Sequence, residues 1–344
     1  MRYQVLFGMI AATMLAQRAA TPPAPAAQAD VTARIVASAR AVLSTLDDAG
    51  RAKVQFPFDG PQRTRWSNLP SPMFQRTGLR MGDLTSTQRA AVMSLLSVAL
   101  SRDGYRKVVD IMRGDEVLRT RGGGRGRGGP GGGGPAFGED QYYLAFLGTP
   151  STTAPWMLQF GGHHLAINLT LAGSQATMAP SLPAAQPASY TIEGRTVRPL
   201  GQENDKAFAL INALNAEQRD QAILESRVAD LVLGPGQDGR TIQPEGIRAS
   251  ALSAPHQTML LGLVREWVGI MSDAFAEPRM AEIRASLRDT YFAWSGPTTN
   301  GSAAYFRIQG PTLVIEYAPQ NSIDHIHTIY RDPTNDYGAT IARK

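Results

Sequence analysis

The stretch Tyr142–Gly173, YYLAFLGTPSTTAPWMLQFGGHHLAINLTLAG, decides the fold. Tyr142–Leu147 and Trp156–Phe160 are short apolar and aromatic runs bounded by Gly and Pro, the pattern of buried strands. Gly161-Gly162 can turn the chain, which predicts a third strand over His163–Ala172. The C-terminal stretch has the same character: Thr290–Trp294, Ala304–Gln309, Thr312–Ala318 and Asp324–Arg331 are expected strands, with Ser189–Ile192 a further one. Elsewhere the apolar spacing is helical. Leu84–Leu100 is an amphipathic helix with Thr85 as N-cap and Gln88 three residues on. Val31–Leu46, Tyr105–Leu118, Glu203–Leu214, Ala216–Leu231, His256–Phe275 and Met280–Leu287 are the other expected helices. Phe56–Pro70 reads as extended strand and turn. Consecutive strands separated by helical blocks argue an α+β fold: a largely antiparallel sheet packed with helical blocks, in a single large domain over residues 30–344.

The chain has 344 residues, 43% of them hydrophobic, enough for a sizeable core. It has no cysteine, which excludes disulfides, thiolate zinc sites, iron–sulfur clusters and a cysteine nucleophile. The net charge of +5 has a local source, Arg119, Arg121, Arg125 and Arg127 in one glycine-rich run. Setting these four aside leaves 30 basic side chains against 29 acidic ones, so composition implies no nucleic-acid-binding face. Residues 119–135, RTRGGGRGRGGPGGGGP, are expected to be a disordered insertion, because glycine at this density is costly to order. No site residue is expected there, and shortening it should be nearly neutral.

The N-terminus has Arg2 followed by a 12-residue apolar run, Val5–Ala16. That is shorter than the ~20 residues a bilayer span needs and suits a signal peptide. Thr21–Ala29 reads as a Pro/Ala linker, and Ala27-Gln28-Ala29 as the cleavage pattern, with Ala19-Ala20 as a second place. Residues 1–29 are thus expected to be a signal peptide and linker on a periplasmic or secreted protein. No later segment reaches transmembrane length, so no stable membrane insertion is expected.

Of five histidines, four fall in His163-His164 and His325-x-His327, both on expected strands. Strand alternation points His325 and His327 the same way, about 6.6 Å apart, a spacing at which two imidazoles can share an ion. His163 would share a face with Leu165 and Ile167, His164 with Asn168 and Thr170, so His164 fits a ligand better than His163. Glu316 lies inside an apolar strand, where a carboxylate is costly unless paired or metal-bound. Such an N/O donor set suits zinc first, with copper or iron as alternatives. The bland reading stands beside it: lone histidines are usually structural, and H-E-x-x-H is absent. After the last histidine, Arg331, Asp332 and Asp336 surround a proline in a turn-forming sequence. Arg331 could also clamp an anion, and Asp332 or Asp336 could orient a histidine.

The segments GGHHLAINLTLAG (161–173) and GPTLVIEYAPQNSIDHIHTIYRDPTNDYG (310–338) resemble the Domain of Unknown Function 3500 family. So do the Trp66 region, GLRMGDLTSTQRAAVMSLLSVALSRDGYRKVVDIM, YLAFLGTPSTTAPWMLQFGGHH and YFRIQGP, so the resemblance covers nearly all the chain after the N-terminal segment. The glycine-arginine run departs from the family pattern. The resemblance implies a bacterial, often exported protein and no particular reaction; the family's histidine motifs fall on His163, His164, His325 and His327.

Together these features lead to an exported metal-dependent enzyme. It is expected to be hydrolytic, with a divalent transition metal on the histidines, Glu316, Arg331 and Asp332 as catalytic candidates, and a small-molecule substrate. The alternative is a non-catalytic periplasmic ligand- or metal-binding protein, with Trp66, Trp156 and Trp294 as stacking platforms. Metal-free histidine catalysis is a third class, and Ser-His-Asp hydrolysis lacks its G-x-S-x-G signature.

Overall fold

The computed structural model describes residues 25–121, 135–320 and 322–342. The signal-peptide reading of residues 1–24 and the core of the glycine-arginine run, 122–134, lie outside the described residues. The first helix, α1 (Pro25–Ser44), begins inside the stretch read as linker. Among its described side chains the first that is buried is Val31. Then come α2 (Asp48–Val54), the short strands β1 (Gln55–Phe56) and β2 (Leu79–Arg80), α3 (Ser86–Ala99) and α4 (Arg102–Thr120). The N-terminus of α3 is a capping box: Thr85 Oγ1 accepts from the Gln88 amide, and Gln88 Oε1 from the Thr85 amide.

β3 (Tyr143–Leu147), β4 (Trp156–Gly162), β5 (Leu165–Ala172), β6 (Gln175–Thr177) and β7 (Leu182–Pro183) follow, and with β1 and β2 they form the first sheet. Every pairing in it is antiparallel except β1 with β3. The small hairpin β8 (Tyr190–Ile192) and β9 (Arg195–Val197) leads to α5 (Gly201–Ala213) and α6 (Ala216–Ala222). β10 (Ile247–Arg248), α7 (Ala254–Val268) and α8 (Asp273–Ala285) precede β11 (Tyr291–Ser295), β12 (Tyr305–Gly310), β13 (Leu313–Pro319) and β14 (Ile326–Arg331). β10 to β14 form an antiparallel meander, the second sheet. The α+β reading holds. α1 packs on α3 and α8, and α5 on α7, over a core that takes Trp156, Trp267 and Trp294 fully inside.

Three expected elements differ. The helix expected over 216–231 stops at Ala222, because Ile223 bridges Trp294 and the Leu224 amide donates to the Trp294 carbonyl. Leu231 and Leu233 are therefore placed by extended chain. The helix expected over 256–275 is broken between α7 and α8. Gly269 ends α7, and the Ile270 carbonyl accepts from the Ser101 amide beside a Leu100–Met271 bridge. That crossing has no room for a side chain: a Cβ on Gly104 would sit 2.2 Å from the Ile270 oxygen. Gly104→Ala is expected to cost about 1–3 kcal/mol by chemical denaturation, as an overpacked core does. Third, the strand expected from His163 starts at Leu165, and the two histidines form the turn before it.

One arrangement brings distant histidines together. β7 pairs antiparallel with β5, and on its other side Ser181–Tyr330 and Ala185–Ile326 bridges join the same segment antiparallel to β14. β5 and β14 therefore run the same way, and their first residues lie at one end. His164 precedes β5 and His325 precedes β14.

Candidate metal centre

The β4–β5 hairpin closes tightly because Gly161 allows it; a Cβ there would lie 2.5 Å from the Leu165 oxygen. In the turn, His164 takes a left-handed conformation, φ 61°, unusual for a non-glycine residue. Its backbone is held on both sides: its amide donates to the Asn68 carbonyl and its carbonyl accepts from Ala184. The ring is thereby aimed at β14. His164 Nε2 lies 3.0 Å from His325 Nε2, which lies 3.0 Å from His327 Nε2. One donor atom from each of the three falls within 4.8 Å of the others. Two ligands on ~2.1 Å metal–nitrogen bonds at tetrahedral or right angles would be about 3.0–3.4 Å apart. These three imidazoles form a donor set that could hold one transition ion.

The electrostatics suit that role. Burial first, then the imidazoles of His163, His327 and His325, pushes His164 well below the ordinary histidine value. Burial, with His327 and His163, lowers His325 to about 4, opposed by Asp230. Both rings are neutral at pH 7, the state that offers a lone pair to a cation. Asp230 Oδ1 lies 3.4 Å from His327 Nδ1, leaving Nε2 toward the other rings. Burial works to raise the Asp230 carboxyl, but the His327 ring and the Leu231 and Gln320 N–H donors hold it below the usual carboxylate range. The Asn68 amide, 3.1 Å from His327 Nε2, closes another side.

His163 is not in this trio. Its Nδ1 lies 2.6 Å from Asp115 Oδ1, both buried, and its ring stacks on His164 with centroids 3.6 Å apart. Asp115 Oδ2 also accepts from the Gly138 amide. This pair braces the ligand ring from behind, and groups that support a ligand are worth ~10–100-fold in metal affinity. Asp115→Asn is expected to weaken zinc binding about tenfold, the low end of that range, in a chelator-competition titration. An unchanged affinity would show that the stack carries no support.

The other expected site residues sit elsewhere. Glu316 accepts from the Val232 and Leu233 amides and from the Tyr305 hydroxyl, so its buried carboxylate is paired with backbone rather than metal. It ties down the segment that carries Asp230. Arg331 donates to the Leu233 and Gly234 carbonyls and pairs with Asp238 and Asp336, which leaves no free fork for an anion. Asp332 pairs with Arg279 and accepts from Thr334. Trp156 and Trp294 are core residues, and Trp66 is buried with its Nε1 donating to the Tyr337 hydroxyl.

Sequence patterning alone does not point to Asn68, Asp115 or Asp230. Asp115 had a signal: it follows Val108, Ile111 and Met112 on the buried face of α4, where an unpaired acid is out of place. Asn68 and Asp230 reach the centre from irregular segments that no periodicity describes.

Fold and site together define an α+β protein with a three-histidine cluster where two sheets meet. The chain belongs to the family described as Protein of unknown function (DUF3500), whose model matches residues 28–339. Neither the curated proteins nor the solved structures contain a match to it.

Proposed function

We propose that the protein is an exported metal-dependent hydrolase that holds a divalent transition ion, zinc by preference, on His164, His325 and His327. The observation that carries this reading is the convergence of three imidazole rings from two distant segments. His164, His325 and His327 would hold the ion, and the chemistry it would supply there is Lewis acidity and a water activated near neutral pH. The protein's own groups do the rest. Asp230 fixes the His327 ring, the Asp115–His163 pair braces His164, and Asn68 limits access from one side. His325 and His327 are partly exposed, so a small substrate can approach from their side. Export rests on Arg2, the Val5–Ala16 run and Ala27-Gln28-Ala29. Cleavage after Ala29 would leave the packed part of α1 intact, since burial starts at Val31.

The test is metal analysis of protein purified without a histidine tag, followed by a panel of ester, amide and phosphoester substrates. One equivalent of zinc and turnover that chelation abolishes are expected. A stoichiometric ion with no turnover on any substrate would favour metal sequestration. Absence of metal after zinc reconstitution would overturn the centre itself.

A further inference from the structure

We propose that Asn68 is a fourth ligand of the metal centre, presenting its side-chain oxygen Oδ1 to an ion on His164, His325 and His327. The inference rests on the three-histidine centre proposed above and adds an oxygen donor to it. Glu316, the oxygen donor expected from its strand, is committed to Val232, Leu233 and Tyr305. Asn68 is not: its Nδ2 stands 3.1 Å from His327 Nε2. It extends the run in which the Nε2 atoms of His164, His325 and His327 follow one another at 3.0 Å.

The lone pair on His327 Nε2 decides the matter. Asp230 beside Nδ1 favours the ring proton there, so Nε2 is an acceptor and the Asn68 NH2 donates to it. An ion on His327 takes that same lone pair, so the NH2 has to leave. A half turn about χ2 is the smallest motion that achieves this. The amide is nearly symmetric in outline and its χ2 torsion is soft and two-fold, so the turn brings Oδ1 to where Nδ2 stood. Among the described residues no group donates to Oδ1, and Nδ2 bonds only His327, so the side chain gives up no other hydrogen bond. The spacing then suits a ligand: 3.1 Å from Nε2 falls within the about 3.0–3.4 Å that separates two donors on ~2.1 Å bonds.

The backbone holds Asn68 in place for this role. Its carbonyl accepts from the His164 amide at 3.1 Å, which ties it directly to a ligand residue. Arg76 Nη2 donates to the carbonyls of Ser67 and Leu69, on either side of Asn68, and to that of Gly162, just ahead of the histidine pair, each at 2.7 Å. One guanidinium thus buckles the Asn68 segment to the turn that carries His164, and Asn68 itself is buried. An amide oxygen is a weaker donor to zinc than an imidazole and carries no charge. It therefore leaves the positive charge that acidifies a bound water undiminished, and it is the donor a substrate oxygen would displace.

The experiment measures zinc affinity by chelator competition in the untagged protein, in Asn68→Ala and in Asn68→Asp. Asn68→Ala is expected to weaken zinc about tenfold, less than the loss of an imidazole. Asn68→Asp is expected to bind at least as tightly as the unaltered protein, because its carboxylate puts an oxygen in the same place and adds a charge. Weaker zinc binding in Asn68→Asp than in the unaltered protein would mark Asn68 as an N–H donor, and unchanged affinity in Asn68→Ala would mark it as a bystander; either result overturns the assignment. A crystal structure of the zinc-loaded protein reads the same point without a variant, should one misfold: Oδ1 is expected at ~2.0–2.2 Å from the ion, and an oxygen outside bonding reach overturns the assignment. Unaltered protein that takes up no zinc removes the three-histidine centre itself, whereas zinc bound without Asn68 removes the fourth ligand alone.

Discussion

Replacing His327 with alanine is expected to lower zinc affinity by roughly 100- to 1000-fold while leaving the metal-free protein folded. A four-ligand zinc site binds with ~10–16 kcal/mol, so one imidazole accounts for about 2.5–4 kcal/mol. The packing loss is small, because the side chain is partly exposed and its partner Asp230 is exposed to water. His325→Ala should behave alike. His164 needs a different substitution, since it is buried and left-handed. Asparagine accepts that backbone region, so His164→Asn should lose the metal and keep the turn. Competition with a chromophoric chelator and thermal melts of the metal-free variants measure both halves. Full metal content at unchanged affinity in His327→Ala would place the ion elsewhere.

Glu316 gives the largest expected loss of stability. Its two oxygens accept from Val232, Leu233 and Tyr305, inside the second sheet. Glu316→Ala strands two buried donors, the Leu233 amide and the Tyr305 hydroxyl, and the part-buried Val232 amide, and is expected to cost about 3–5 kcal/mol in urea unfolding. Glutamine is no safe substitute. Its amide oxygen can serve Val232 and Tyr305, but its NH2 would face the Leu233 amide, donor against donor. We expect about 2–3 kcal/mol for Glu316→Gln, with zinc binding weakened as the Asp230 segment loosens. A stability change under ~0.5 kcal/mol, as surface positions show, would mean the donors find other partners.

The main elements were legible where apolar periodicity is long or strongly alternating. α3 could be read to its cap, and β11 to β14 to within a few residues, because Thr85 and Gln88 satisfy backbone groups and the strands alternate between buried faces. Reading failed where a tertiary contact outbid a local pattern. Residues 223–231 have helical spacing but pair with Trp294 and Ser295. In the site, the identity of the histidines was legible and their geometry only half so. His325 and His327 follow from strand alternation. The choice of His164 over His163 also agrees with the structure, but through a turn rather than the alternation that suggested it. Glu316, a carboxylate inside an apolar strand, does need partners. Its partners were backbone amides, which a sequence cannot display. Asp230 and Asn68 depend on how loops cross sheets.

The parallel course of β5 and β14 has a consequence for how the chain opens. His164 and His325 are 161 positions apart, so in the unfolded chain their nitrogens are dispersed and no ion site exists. An ion that binds only the assembled site stabilises it by mass action, about 4 kcal/mol when free zinc is a thousandfold above its dissociation constant. That gain is a cross-link at one end of two strands, and it acts on the fluctuation that would part them. Amide hydrogen exchange at Leu165–Ile167 and Ile326–Thr328 should slow on zinc loading, while the exposed start of α1 exchanges as before.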